Sequence, residues 1–197
     1  MKAYYEHRAP EYDEWYYGGG QFRGRQRPGW DEELAALARA LTALPPGRTL
    51  DVACGTGFLT RYLRDTVVGL DQSPAMLREF ARRRPAATVV EADALDGLPF
   101  EDGTFDRVFA GHFYGHLESE PRKRFLGDAY RVAPELVVVD SALREDVEPE
   151  SVQQRVLNDG TRWHVYKRYF TPEELLSELG GGRVLHARRW FVAVASP

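Results

Sequence analysis

The stretch Asp51-Val52-Ala53-Cys54-Gly55-Thr56-Gly57 puts small residues at every second position (Ala53, Gly55, Gly57), directly behind an apolar run. Without large side chains there, a backbone can approach a ligand closely and turn its N–H groups toward it. The third glycine of the dinucleotide fingerprint Gly-x-Gly-x-x-Gly is missing, because Thr60 stands three places after Gly57. Asp51, ahead of the glycines, would repel a phosphate and attract an ammonium or sulfonium. Asp71 follows 20 residues later, a spacing at which a carboxylate accepts from both hydroxyls of a ribose, and Gln72 is beside it. Met76 is a candidate for packing on an adenine ring or for the core. Asp93, with the backbone of Ala94, suits the polar edge of a purine. Gly111-His112-Phe113-Tyr114-Gly115-His116 adds two histidines, His112 and His116, whose ordinary pKa near ~6.5 suits proton transfer. The same histidines with Glu118 have metal-ligand spacing, but Gly115 interrupts the single helix face such a pair requires, so no metal is expected.

These residues need a scaffold, and the pattern around them supplies one. Short Val-rich runs at 49–53, 66–71, 87–91, 106–110 and 135–142 read as strands covered on both faces, the mark of a parallel sheet. Amphipathic stretches alternate with them. Residues 31–44 carry Leu34, Leu37, Ala38, Leu41 and Leu44 on one face, with Asp31 as the expected N-cap. Ser73-Pro74 opens a helix to about Arg84, a third covers 119–131, and Thr171-Pro172-Glu173-Glu174 is a capping box ended by Gly180–Gly182. Residues 183–195 read as a strand pair turning near Arg188-Arg189. The alternation predicts an α/β fold with helices on both faces of a mainly parallel sheet. Ligands of such sheets bind beyond the carboxyl ends of the strands, where the strand order reverses. That places function in the loops at Asp51, Asp71, Asp93 and Gly111.

A chain of 197 residues with 43% hydrophobic, 12% aromatic and 28% charged residues suits one globular domain rather than a disordered or fibrous chain. No apolar run approaches the ~18–20 residues of a membrane span. A net charge of −4 gives no global basic field for nucleic acid. One cysteine, Cys54, excludes an intrachain disulfide and a Cys-cluster zinc site. The N-terminus resembles neither a secretory signal nor a transit peptide. The expectation is a soluble, cytoplasmic domain.

From LDVACGTG through VVGLDQSPAML and VVEADALDGLPFEDGTFDRVFAGH to ELVVVDSA, residues 49–142 resemble the class I S-adenosylmethionine-dependent methyltransferases, with the signals in that family's order and spacing. The family's loop usually has glycine where this chain has Ala53. The resemblance implies a Rossmann-like sheet of seven strands, the last antiparallel. It implies S-adenosyl-L-methionine as cofactor and S-adenosyl-L-homocysteine as product. The Ala53–Gly57 loop would hold the methionine portion, Asp71 the ribose, and Asp93 with Ala94 the adenine.

The acceptor side is less defined. The first 30 residues are rich in aromatic side chains, including Tyr12, Trp15 and Tyr16, and read as a short helix from Pro10 that covers the cofactor as a lid. Aromatic faces attract a sulfonium through cation–π contact. Arg23, Arg25 and Arg27 add local positive charge suited to an acidic acceptor. Residues 161–170 read as an extra strand or extended arm in an acceptor-side insertion at 143–170. The expected acceptor-facing residues are Tyr16, Tyr114, His164, Tyr166, Arg168 and Tyr169, and the expected partner is a small molecule rather than nucleic acid. The residues alone leave two other readings open: a nucleotide-dependent oxidoreductase with a degenerate loop, and a cofactor-binding module without turnover.

Overall fold

The computed structural model describes residues 1–64 and 66–197. The strands in chain order are β1 (Arg48–Val52), β2 (Thr66–Asp71), β3 (Thr88–Glu91), β4 (Arg107–Gly111), β5 (Glu135–Ser141), β6 (Glu150–Val156), β7 (Arg162–Arg168), β8 (Arg183–Ala187) and β9 (Phe191–Ala195). The helices are α1 (Lys2–Arg8), α2 (Glu14–Tyr17), α3 (Trp30–Thr42), α4 (Pro74–Arg83), α5 (Ser119–Val132) and α6 (Pro172–Glu178). Seven strands form one sheet in the order β3-β2-β1-β4-β5-β9-β8. β1 to β5 run parallel, and β9 lies antiparallel between β5 and β8. The α/β architecture expected from the sequence is the one observed, including the antiparallel last strand.

Alternation along each strand sends side chains to two cores. Leu136 and Val138 of β5 join Leu50, Leu70 and Val108 against Phe125, Ala129 and Leu175 of α5 and α6. Val137 and Val139 join Phe109 and Phe191 against Leu37 and Leu41 of α3. Each fully buried leucine contributes about 1.5–3 kcal/mol relative to exposure. β3 is an edge strand and is mostly exposed.

Local signals set most helix ends. Ser73 Oγ accepts from Met76 N at 3.2 Å, with Pro74 at the first helical position. Thr171 and Glu174 form the reciprocal capping box. α3 departs from expectation: its N-cap is Gly29, in the left-handed region, and Asp31 lies inside the first turn. The N-terminal segment is helical from Lys2, well before Pro10, and α2 stops where Gly18 turns left-handed.

β6 and β7 form a separate antiparallel hairpin with Glu150 opposite Arg168 and Val156 opposite Arg162. The sequence signalled β7 but not β6, whose inward face, Ser151, Gln153 and Arg155, is polar. The hairpin packs on the 3₁₀ turn Tyr114–His116. Gly115 permits that approach, since a Cβ there would stand 2.7 Å from the Arg168 carbonyl oxygen.

The loop after β1 leads into one 3₁₀ turn, Thr60–Tyr62, rather than an α-helix. Gly55 and Gly57 have φ of 53° and 71°, and Ala53 has φ of 53°. A Cβ in the left-handed region costs roughly 1–2 kcal/mol, which gives a physical reason for glycine where this chain has Ala53. Ala53→Gly is therefore expected to raise stability by about 1 kcal/mol, or roughly 2–4 °C in melting temperature. A lowered melting temperature would mean that the Ala53 methyl packs more favourably than its torsion costs.

Candidate active site between two clefts

β1 is flanked by β2 on one side and β4 on the other, so the strand order reverses there, and a cleft of about 160 Å³ opens beyond the strand ends. Ala53 and Gly55 line it from β1, Asp71 and Gln72 from β2, Asp93 and Ala94 from β3, and His112 with Phe113 from β4. Tyr5 and Tyr12 cover it from the N-terminal segment. A Cβ on Gly55 would lie 3.8 Å from the Tyr12 ring, in space that the glycine leaves to the cleft.

Asp71 fixes the loop as well as facing the cleft. Its oxygens accept from Gly55 N and Ser73 N, each at 2.9 Å. Burial pushes its pKa up to about 6 against the pull of those N–H groups, with nearby Asp93 adding to the rise. A bound diol donating to the carboxylate would favour the ionised form. The inner cleft holds two aspartates and no arginine or lysine. With apolar Leu70, Ala94 and Leu117 around them, these residues fit a positively charged nucleoside better than a diphosphate.

Other residues expected at the cofactor serve nearby packing. Asp51 points to the α3 face of the sheet, accepts from Thr60 Oγ1 and lines a small separate cavity, which Gly111 also borders. Burial raises its pKa to about 7. Met76 is fully buried under the loop. Gly57 packs on α4, where a Cβ would come within 2.8 Å of the Phe80 ring.

A second cleft, of about 280 Å³, adjoins the first, and Tyr5, Tyr12, His112 and His116 line both. His112 has φ of 56°, a strained torsion of the kind that collects at functional sites. Its Nδ1 lies 3.8 Å from Asp140 Oδ1, and its Nε2 is buried with no hydrogen-bond partner. Burial lowers the His112 pKa against the opposing pull of Asp140. The carboxylate favours the proton on Nδ1, so Nε2 presents a lone pair. His116 Nδ1 donates to the Tyr166 carbonyl at 2.7 Å. Burial, then the charge of Lys167, lowers the His116 pKa to about 3.

Asp140 has no exposed surface and gathers its neighbours. It pairs with Lys167 and accepts from Gly115 N and Ser141 N, each at 2.7 Å. Burial alone would raise its pKa; Lys167 and His112 outweigh that and hold it well below the usual carboxylate range.

The acceptor-side expectations need correction in register. Side chains alternate along β7, and Trp163, Val165 and Lys167 face inward, with Lys167 and the following Tyr169 lining the outer cleft. His164, Tyr166 and Arg168 lie on the other face. His164 is exposed, Tyr166 donates to Glu150, and Arg168 pairs with Glu178 at 3.1 Å. Tyr114 is fully buried and donates to Glu178, while Tyr16 stacks on Phe58 at 3.5 Å. Neither lines the outer cleft. Sequence reasoning included Tyr5 in the aromatic N-terminal segment and Tyr169 among the acceptor-facing residues, both of which line the outer cleft, but missed Arg8, Arg155 and Lys167. The two-residue period of the hairpin carried a signal for Lys167 and Tyr169 once their face was known.

The N-terminal segment is tied to the core around both clefts. Asp13 accepts from Thr56 Oγ1 at 2.6 Å and pairs with Arg83. Glu6 accepts from Ser73 Oγ and Ala75 N, at 2.5 and 3.1 Å. Among the described residues no helix is long and apolar enough to cross a membrane.

Comparison with known proteins agrees with this geometry. The family described as a methyltransferase domain matches residues 50–135. The demethylmenaquinone methyltransferase of Thermus thermophilus is 42% identical over 97 residues, covering 44% of this chain and 42% of that protein. The 18S rRNA (guanine-N(7))-methyltransferase of Bos taurus is 40% identical over 84 residues, covering 39% and 30%. The chain thus spans less than half the length of these curated relatives. Among solved structures, DhpI in complex with SAM and HEP is 28% identical with a TM-score of 0.78, covering 99% of this chain and 95% of DhpI. Sequence motifs, sheet order and loop geometry converge on the class I S-adenosylmethionine-dependent methyltransferases: residues 50–135 match the methyltransferase-domain family, and the chain shares its fold with DhpI over nearly its whole length.

Proposed function

We propose that the chain is an S-adenosylmethionine-dependent methyltransferase of the cytoplasm, acting on a small molecule bound in the outer cleft. The observation that carries this reading is the junction at Tyr5, Tyr12, His112 and His116, where a donor in the inner cleft and an acceptor in the outer one would face each other. DhpI, solved with SAM and also with SAH, supports the cofactor assignment over nearly the whole chain. A cleft of about 280 Å³ suits a small molecule.

When bound, S-adenosylmethionine supplies a methyl carbon on a sulfonium: the acceptor's oxygen or nitrogen bonds to that carbon while the S–C electron pair stays on sulfur. Asp71 accepts the ribose hydroxyls. Asp93 and the Ala94 backbone meet the adenine, and the Ala53–Gly55 backbone takes the methionine portion. Tyr5 and Tyr12 exclude water and present aromatic faces to positive charge. Alignment of this kind supplies ~7–11 kcal/mol of barrier reduction. His112 is the better base of the two histidines: Nε2 takes the proton of the acceptor's hydroxyl or amine as that atom is methylated, and Asp140 balances the imidazolium formed. His116, with its pKa near 3, is too weak a base for that step.

Two measurements test these roles. S-adenosylhomocysteine binding, followed by calorimetry, should strengthen as pH rises through about 6, where Asp71 ionises, and should be roughly tenfold weaker one unit below. Asp71→Asn should weaken binding by ~1.5–3 kcal/mol and flatten that profile. Equal affinity in the variant would remove Asp71 from the ribose. His112→Asn, chosen because asparagine tolerates a left-handed torsion, should lower kcat by ~10²–10⁴ with any acceptor that turns over. S-adenosylhomocysteine affinity should stay within a few-fold; unchanged kcat would sink the base assignment.

A further inference from the structure

The two clefts carry opposite charge. The inner one holds Asp71 and Asp93, whereas the outer one holds Arg8, Arg25, Arg27, Arg144, Arg155 and Lys167 against the single carboxylate of Asp146. Arg144 is paired with Asp146 at 3.0 Å, and Lys167 with Asp140. Among the described residues, Arg8 and Arg155 have no carboxylate partner in an ion pair. Both are only partly exposed. The Arg8 guanidinium meets the Tyr4 hydroxyl and lies over the rings of Tyr4, Tyr12 and Phe22, at 5.5, 5.2 and 5.9 Å. Its Nε is buried with no hydrogen-bond partner. Arg155 donates to the neutral amide oxygen of Gln153 at 2.7 Å. Burial, together with the nearby charge of Arg8, lowers the Arg155 pKa.

Arginine keeps its charge in such a place because its pKa is so high. Two partly desolvated guanidinium groups sharing one cleft repel each other, and that cost is relieved when an anion enters between them. The hairpin register serves this arrangement, since Arg155 and Lys167 lie on the same inward face, on odd-numbered positions of strands paired Arg155 to Trp163 and Ser151 to Lys167. The guanidinium fork matches two oxygens of a carboxylate or a phosphonate.

Building on the assignment of the outer cleft to the acceptor, we propose that the acceptor is a small oxyanion, a carboxylate or phosphonate, gripped by Arg8 and Arg155 with Lys167 beside them. The sulfonium of the donor and the anionic group of the acceptor are then sorted by the protein's own charges into adjoining clefts. A neutral acceptor would leave the two arginines uncompensated. The surrounding aromatic rings suit an acceptor with an apolar body.

The test titrates the full chain, saturated with S-adenosylhomocysteine, with phenylphosphonate, benzoate and the neutral isostere benzamide. At least one anion is expected to bind tenfold or more tightly than benzamide, and to weaken as salt is raised. A preference for phenylphosphonate identifies a tetrahedral oxyanion, and a preference for benzoate a planar one. Arg155→Gln should weaken the favoured anion at least tenfold, Arg155→Lys by less, with melting temperature and S-adenosylhomocysteine affinity near the parent's. Benzamide binding as tightly as both anions, or unchanged anion affinity in a folded Arg155→Gln protein, overturns the proposal. Should S-adenosylhomocysteine fail to bind while Arg155 still governs anion binding, the methyltransferase reading falls and the oxyanion site stands.

Discussion

A carboxylate with no solvent exposure, Asp140 at the end of β5, holds together three stretches of chain that are distant in sequence. It binds Lys167 of β7, the Gly115 N–H of the turn after β4, and its neighbour Ser141 N, and it faces His112. A buried charge is tolerated only when partners surround it. Those partners are the residues that give the outer cleft its shape: the hairpin comes close because Lys167 is drawn to Asp140, and His112 keeps its Nε2 free because Asp140 lies on its Nδ1 side. The strained torsion of His112 is held by this network.

The inner cleft obeys a different constraint. There the backbone must come close to a ligand, so side chains are small and torsions are left-handed, and Asp71 braces the loop through Gly55 N. The same carboxylate cannot both brace the loop and stay fully solvated, which is why burial raises its pKa. Negative charge on this side and positive charge on the other meet at the junction of His112 and His116, so the two clefts favour ligand groups of opposite sign.

Residues that act through local rules were readable from sequence. Ser73 and Thr171 cap helices because their side chains satisfy nearby N–H groups. Of the five parallel strands, β1, β2, β4 and β5 stood out as short apolar runs because both their faces are covered, and β3, exposed at the sheet edge, by its paired valines. The floor of the inner cleft was readable because Ala53, Gly55, Asp71, Asp93 and His112 sit at or just past strand ends, at positions the fold fixes. Asp51 misled because its period-two position on β1 sends the side chain to the α3 face, toward Thr60. β6 was missed because Ser151, Gln153 and Arg155 make its inward face polar, so no apolar inward face marks the segment as a strand.

By itself the sequence determined the parallel strands, the caps of α4 and α6 and the small-residue loop with its two cleft-facing aspartates, because each depends on neighbours a few residues away. The charge and lining of the outer cleft were decided only in three dimensions. Arg8, Arg155 and Lys167 come from α1, β6 and β7, and no spacing along the chain relates them. A one-residue shift in hairpin register would turn His164, Tyr166 and Arg168 inward instead. Contact with Asp140 and the turn after β4, not any preference of the residues themselves, selects the face that points at the outer cleft.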